Sequence, residues 1–186
     1  MMGIIMTRFY IAPALVATSV LPLMAHAENE NLTQFGTIAQ IGVPVTAGAI
    51  ALWKSDTEGF FQLAEGAIYT SSATHALKWM VDEERPDGSG NNSFPSGHTS
   101  AATQGAAFLQ IRYGWEYGLP AYGVSAVVGY SRVQSEKHYW RDVVAGAALA
   151  TGIQYAVTRT GYSMTSIMFA PYVSGDEVGL YASMSF

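Results

Sequence analysis

A chain of 186 residues that is 49% hydrophobic is long enough for one domain with its own core. It holds no cysteine, which excludes a disulfide framework and a thiolate metal site. Its net charge of −5, with no long Lys/Arg run, argues against a nucleic-acid partner, because affinity for a phosphate backbone needs clustered cations.

Residues 1–27 read as a secretory signal peptide. Arg8 supplies the positive start, an uncharged and largely apolar run follows, and Ala25-His26-Ala27 gives a small-x-small cleavage pattern ahead of Glu28-Asn29-Glu30. The alternative is an uncleaved membrane anchor, and on either reading the working domain is exported. Residues 28–34 form a polar lead-in. Residues 35–53 are uncharged and suit a buried helix, but are marginal as a membrane span because Gln40, Thr46 and three glycines interrupt them. Residues 54–58 are a polar break in which Ser55 or Asp56 is placed to cap the next helix. The spacing predicts an amphipathic helix over 59–81, with Phe60, Leu63, Ala64, Ala67, Thr70 and Ser71 on one side. Pro86 ends it, and residues 87–93 are a loop by composition. Further helices are expected from Ser96 to about Tyr113, from Ala121 to about Val133 after a break at Gly118-Leu119-Pro120, and from Tyr139 to about Arg159. Small residues such as Gly146 in the last of these favour close helix approach, in a membrane or in a tight soluble bundle. Most uncharged runs are shorter than about 18 residues, which favours a soluble or membrane-associated bundle over a multi-span protein. The tail alternates in residues 178–186, and a β-hairpin around Ser174-Gly175-Asp176-Glu177 is expected. The expected domains are therefore 1–27, a helical domain over 28–160, and a hairpin extension over 161–186.

Only 12% of the chain is charged, yet three charged clusters sit among apolar helices. The first is Lys78 with Arg85-Pro86. The second is Pro95-Ser96-Gly97-His98, where a proline and small residues open a helix and leave amide N–H groups available to an anion. The third is Ser131-Arg132 with His138 and Asp142. A carboxylate four residues from a histidine can hold one ring nitrogen and leave the other free to attack, either on one helical face or across a turn. Each cluster has an ordinary reading when taken alone: a helix cap at Ser96, a surface His-acid pair, and solvated cations at helix ends.

Together, and in this order, they match a pattern. The chain resembles the type-2 phosphatidic acid phosphatase family, within a superfamily shared with bacterial acid phosphatases and vanadium haloperoxidases. The three blocks K-x6-R-P, P-S-G-H and S-R-x5-H-x3-D stand without substitution, and the resemblance covers roughly residues 59–159. It implies an all-α compact helical bundle, to which the C-terminal β-hairpin is added. It implies that His138 is a nucleophile forming a phosphohistidine, that Asp142 orients it, and that His98 protonates the leaving group and then activates water. It implies that Lys78, Arg85, Ser96, Gly97 and Arg132 bind the phosphoryl oxygens, and that neither metal nor cofactor is required. The expected activity is hydrolysis of a phosphomonoester or pyrophosphate end on a small molecule or a lipid, with possible membrane association. Trp79, Phe94, Tyr139 and Trp140 would meet an acyl chain or an interface, or else pack in the core. Alternatives are a lipid phosphotransferase, a vanadate-dependent haloperoxidase and a non-catalytic envelope-binding protein. His75, one turn before Lys78, is a further candidate for lining the site.

Overall fold

The computed structural model describes the backbone of residues 12–159, 167–174 and 177–184, and the side chains of residues 30–159. The helices are α1 (Ala12–Trp53), α2 (Thr57–Val81), α3 (Gly97–Tyr113), α4 (Trp115–Gln134) and α5 (Trp140–Arg159). Residues 1–11 of the expected signal peptide lie outside the described residues. The polar lead-in at 28–34 is helical and belongs to α1. Its Glu30, Asn31 and Gln34 side chains are exposed, so helix formation buries none of them.

α3 is the axis of the bundle and packs against α1, α2, α4 and α5. It carries no polar stripe because it is buried on nearly every side, from Thr99 to Ile111. One core cluster joins Ala39 and Val43 of α1 to Ala102 and Ala106 of α3 and Val128 of α4. A second joins Ala47 and Ala51 to Leu63, Phe108 and Leu109. Alanines at these positions let the helix axes come close. At Gly105 the approach is closest: a β-carbon there would sit 2.7 Å from Pro44 Cα and 2.8 Å from Pro44 N, both backbone. Gly105→Ala is therefore expected to force α1 and α3 apart and to cost about 1–3 kcal/mol, read as a lowered thermal midpoint of the purified protein.

Two expectations are corrected. The chain does not break at Gly118-Leu119-Pro120; α4 runs through Pro120, and the break is at Gly114, whose φ of 92° suits glycine. Pro120 is the sixth residue of α4 and lies inside it, where its ring has a helical φ and its missing N–H removes one bond. The buried side of α2 is also displaced. Gln62, Leu63, Gly66, Thr70 and Thr74 face inward, while Ala64, Ala67 and Ser71 are exposed. The cause is a buried amide pair: Gln104 Nε2 donates to Gln154 Oε1 at 2.6 Å and to Leu63 O at 2.9 Å. Only glycine at position 66 leaves room for Gln154.

The two ends of the bundle differ. At one end Asp56 caps α2 through Gly59 N–H and accepts a two-pronged bond from Arg112 at 2.8 and 2.7 Å. At the other end the long α2–α3 loop meets the α4–α5 turn through Asp87 N–H to Glu136 O at 3.1 Å and a Lys137–Asp87 ion pair. The candidate site forms at this second end. Along the sides, Ile38, Ile41, Val45, Ile68, Leu119 and Val144 are more than half exposed, a run of apolar surface typical of contact with lipid or a partner. Residues Glu30–Trp53 are long and apolar enough to cross a membrane. The fold itself is the all-helical bundle, and the side chains of the expected hairpin lie outside the described residues.

Candidate active site

Each motif is delivered by a helix end. Lys78 lies in the last turn of α2, with Arg85 just beyond it. Ser96 caps α3 and accepts from Thr99 N–H at 3.5 Å and Thr99 Oγ1 at 3.0 Å. Its own carbonyl takes Ser100 N–H at 2.9 Å. The amides of Gly97 and His98 are left at the start of the helix, where no intrahelical carbonyl is in reach. Arg132 closes α4, and its carbonyl accepts both Lys137 N–H at 3.0 Å and His138 N–H at 3.2 Å. This tight turn sets His138 beside the start of α5, where Asp142 lies. The histidine and the carboxylate thus meet across a turn and not along one helical face. His138 Nδ1 is 3.5 Å from Asp142 Oδ2. The PSGH block is tied to the same carboxylate residue, since Ser96 N–H donates to Asp142 O at 3.0 Å.

All the expected site residues converge. Lys78 Cε lies 3.8 Å from where a β-carbon on Gly97 would stand. His98 feels Arg132, His138, Arg85 and Lys78, and His138 feels Lys78, Asp142 and Arg85. His138 and Arg132 are each 4% exposed, and Asp142 and Ser96 are fully buried. Burial first, then the neighbouring cations, pushes both His98 and His138 down to about 4. Lys78 is lowered to about 8 by burial and by Arg85, with Asp142 opposing. Two neutral imidazoles therefore face a cluster of positive charge at neutral pH. Arg85 Nε, His138 Nδ1 and Asp142 Oδ1 are buried without a hydrogen bond among the described residues, although Nδ1 faces Asp142 Oδ2 and Oδ1 lies 3.8 Å from Arg141 Nε. Of these, Arg85 Nε is a donor beside other cations, which an anion would complete.

Three features had no counterpart in the motif reading. Arg132 is anchored by α1, outside the three blocks: its Nη2 donates to Thr33 O at 2.6 Å, and its Nε to Ser131 Oγ at 3.1 Å. Gly36 allows this, because a β-carbon there would stand 2.0 Å from Ser131 Oγ. Ser93, in the segment read only as loop, is fully buried against Asp142. Lys78 Nζ donates to Asn92 O at 2.6 Å and Ser93 O at 3.3 Å, so the loop is strapped to α2. His75 is exposed and binds Ser71 O at 2.8 Å. It lines a polar cleft of about 550 Å³ together with Lys78, Trp79, Arg85, Asn91 and Asn92. Trp79, Tyr139 and Trp140 are exposed at 86%, 40% and 55%, so they form the rim of this end of the bundle and not its core.

Comparison with known proteins follows this geometry. The PAP2 superfamily model matches residues 59–164. Over 110 residues the chain is 34% identical to a lipid A 1-phosphatase of Porphyromonas gingivalis, covering 57% of this chain and 24% of that protein. A lipid A 1-phosphatase of Helicobacter pylori is 29% identical over 162 residues, 82% of this chain and 80% of the relative. The chain thus spans about a quarter of the first relative's length and most of the second's. The crystal structure of Aquifex aeolicus LpxE superposes with a TM-score of 0.61 at 18% identity, over 70% of this chain and 85% of that one. A transmembrane PAP2 type phosphatidylglycerolphosphate phosphatase from Bacillus subtilis gives 0.52 at 21% identity, over 80% and 86%. These two likenesses concern the helical fold. With all three motif blocks inside the matched region, the chain belongs to the PAP2 superfamily.

Proposed function

We propose that the protein is a phosphomonoester hydrolase acting on a lipid phosphate through a phosphohistidine at His138. The observation that carries this reading is the meeting of two neutral imidazoles with Lys78, Arg85 and Arg132 at one helix N-terminus. Asp142 lies on the Nδ1 side of His138, which leaves Nε2 to attack phosphorus. The bond from phosphorus to the leaving oxygen breaks, and that oxygen takes a proton from His98. Water then attacks the phosphohistidine while His98 accepts its proton, and inorganic phosphate departs. The three cations and the free amides at Gly97 and His98 hold the equatorial oxygens, where charge stabilisation does most of the catalytic work. Neighbouring protein atoms would stand at ordinary distances from a side chain at Gly97, so the bare backbone there serves the ligand's approach.

The lipid class is supported by the relatives' names and by the apolar sides of the bundle. We place the protein at a membrane, exported by residues 1–27, with α1 from Glu30 as the crossing segment and residues 161–186 as a separate hairpin extension. Phosphate release from lipid A, phosphatidic acid, a phosphatidylglycerophosphate and an aryl phosphate, each with and without chelator and with a lipid acceptor present, tests this directly. Metal-independent release from at least one lipid phosphate is expected. Transfer to the acceptor, strict dependence on metal, or silence on every substrate would overturn it.

The charge state sets the pH dependence. His98 is neutral in the resting protein, so the proton for the leaving group must arrive with the substrate. The productive substrate is then the phosphate monoanion, whose second pKa is about 6. kcat/KM is expected to fall above about pH 6 as the substrate loses that proton, and further above about 8 as Lys78 loses its charge. On the acid side it falls below about 4, where His138 itself is protonated. A pH profile with a flat maximum at alkaline pH would contradict this.

A further inference from the structure

Ser93 sits just ahead of the PSGH block and is fully buried. Its hydroxyl donates to Asp142 Oδ2 at 2.5 Å, a short bond between an O–H and a carboxylate, across 49 residues of chain. The Tyr139 amide donates to the same oxygen at 2.9 Å. Together they fix the plane of the carboxylate 3.5 Å from His138 Nδ1. Ser93 is itself held, because its amide donates to Glu83 O at 2.9 Å and its carbonyl accepts from Lys78 Nζ at 3.3 Å. One residue therefore contacts both a cation of the cup and the carboxylate behind the imidazole.

We propose that Ser93 is a positioning residue for His138, acting through Asp142. The inference rests on the phosphohistidine reading of the site. As His138 Nε2 bonds to phosphorus, its ring becomes cationic, and the Nδ1 proton must find a carboxylate that is charged and already aimed at it. Two fixed donors on Oδ2 keep Asp142 ionised and stop it from turning away, so nothing has to reorganise during attack. Without the hydroxyl, only the Tyr139 amide at 2.9 Å holds Oδ2, with Arg141 Nε 3.8 Å from Oδ1, and the aim of the carboxylate at His138 loosens. The loss would then fall on the chemical step and not on binding.

The test is a double-mutant cycle on the full-length protein in detergent, with Ser93→Ala, Asp142→Asn and both together. Ser93→Ala is expected to lower kcat by about 10- to 100-fold with KM changed less than about twofold, as for a misaligned reacting group. In the Asp142→Asn background the same change should cost less than about twofold, because the group it positions is already disabled. Equal losses in both backgrounds, a loss confined to KM, or no loss at all would overturn the proposal. If Ser93→Ala does not fold, Ser93→Cys fills the same space with a weaker donor and is read the same way. A second readout needs no substrate. Nitrogen-15 histidine spectra should show His138 protonated at Nδ1 in the parent and a mixture of tautomers in Ser93→Ala; an unchanged spectrum would overturn the positioning role. Failure of the phosphohistidine reading would instead appear as turnover by the parent with no phosphate label on His138, with the tautomer difference still measurable.

Discussion

Replacing His138 with alanine is expected to lower phosphate release by at least about 10⁴-fold while leaving the protein folded. The size follows from what is lost. No other group in the cup can attack phosphorus in its place: His98 lies at the start of α3 on the leaving-group side in the proposed mechanism, and Lys78 and Arg132 are cations at neutral pH. The fold should survive because the side chain's polar contacts are few. His138 Nδ1 has no hydrogen-bond partner, and Asp142 keeps its bonds to Ser93 and to Tyr139 N–H. The measurement is steady-state phosphate release from the best substrate of the panel, alongside a thermal melt. A variant retaining a tenth of the parent activity with an unchanged melt would remove His138 from the mechanism.

Arg132→Ala is expected to cost both activity and stability. The guanidinium lies 4% exposed between α1 and the site, with Nη2 on Thr33 O and Nε on Ser131 Oγ. Its positive charge reaches His98, and the planar fork suits phosphoryl oxygens as no lysine does. Removing an oxyanion donor of this kind costs about 10²–10³-fold in kcat. Thr33 O keeps the bond from Thr37 Oγ1 at 2.9 Å, so the stability lost is that of one charge-assisted hydrogen bond, about 1.5–3 kcal/mol. Arg132→Lys keeps the charge but cannot make the forked contact, so it should recover part of the stability and little of the rate. Equal rescue of both by lysine would mean that charge alone, and not geometry, is what the site uses.

The contrast between these residues shows what a sequence makes legible. His138, Asp142, His98, Lys78, Arg85 and Arg132 could be named because each is a chemically distinct side chain at a fixed spacing among apolar helices. Their convergence follows from helix ends: Lys78, Gly97, Arg132 and Asp142 all sit at the same end of an antiparallel bundle. Thr33 could not be found this way. It contributes a backbone carbonyl, which every residue has, from 99 positions away. Gly36 looked like one small residue among many, and only the packed structure shows that a β-carbon there would strike Ser131. Ser93 sat in a stretch whose composition spelled a loop, and composition says nothing about a hydroxyl pointing inward. The misplaced break at Pro120 has a similar origin. Proline in a helix interior costs a hydrogen bond and crowds the preceding turn but need not end the helix, and α4 runs through Pro120 from a start set by Gly114. On α2 the inward residues include Gln62, Leu63 and Gly66, because the buried Gln104–Gln154 pair bonds the carbonyls of Gln62 and Leu63 there, and hydrophobic spacing alone points partly to the wrong side.

The rim of the site connects the chemistry to its setting. Trp79, Tyr139 and Trp140 are exposed around the same bundle end, with apolar residues of α1, α2, α4 and α5 exposed along the sides. Aromatic rings at such a boundary suit the interface between lipid headgroups and chains. In that arrangement a headgroup phosphate would reach the cup from the surface while its chains remained beside the helices.

Covalent trapping of the intermediate tests the central claim most directly. The parent protein is mixed with a substrate carrying labelled phosphate, quenched within milliseconds in alkali, where phosphohistidine survives, and cut into peptides. Label on the peptide containing His138, absent from His138→Ala, is the expected result. Turnover by the parent with no labelled peptide, or with label on any other residue, would contradict the account.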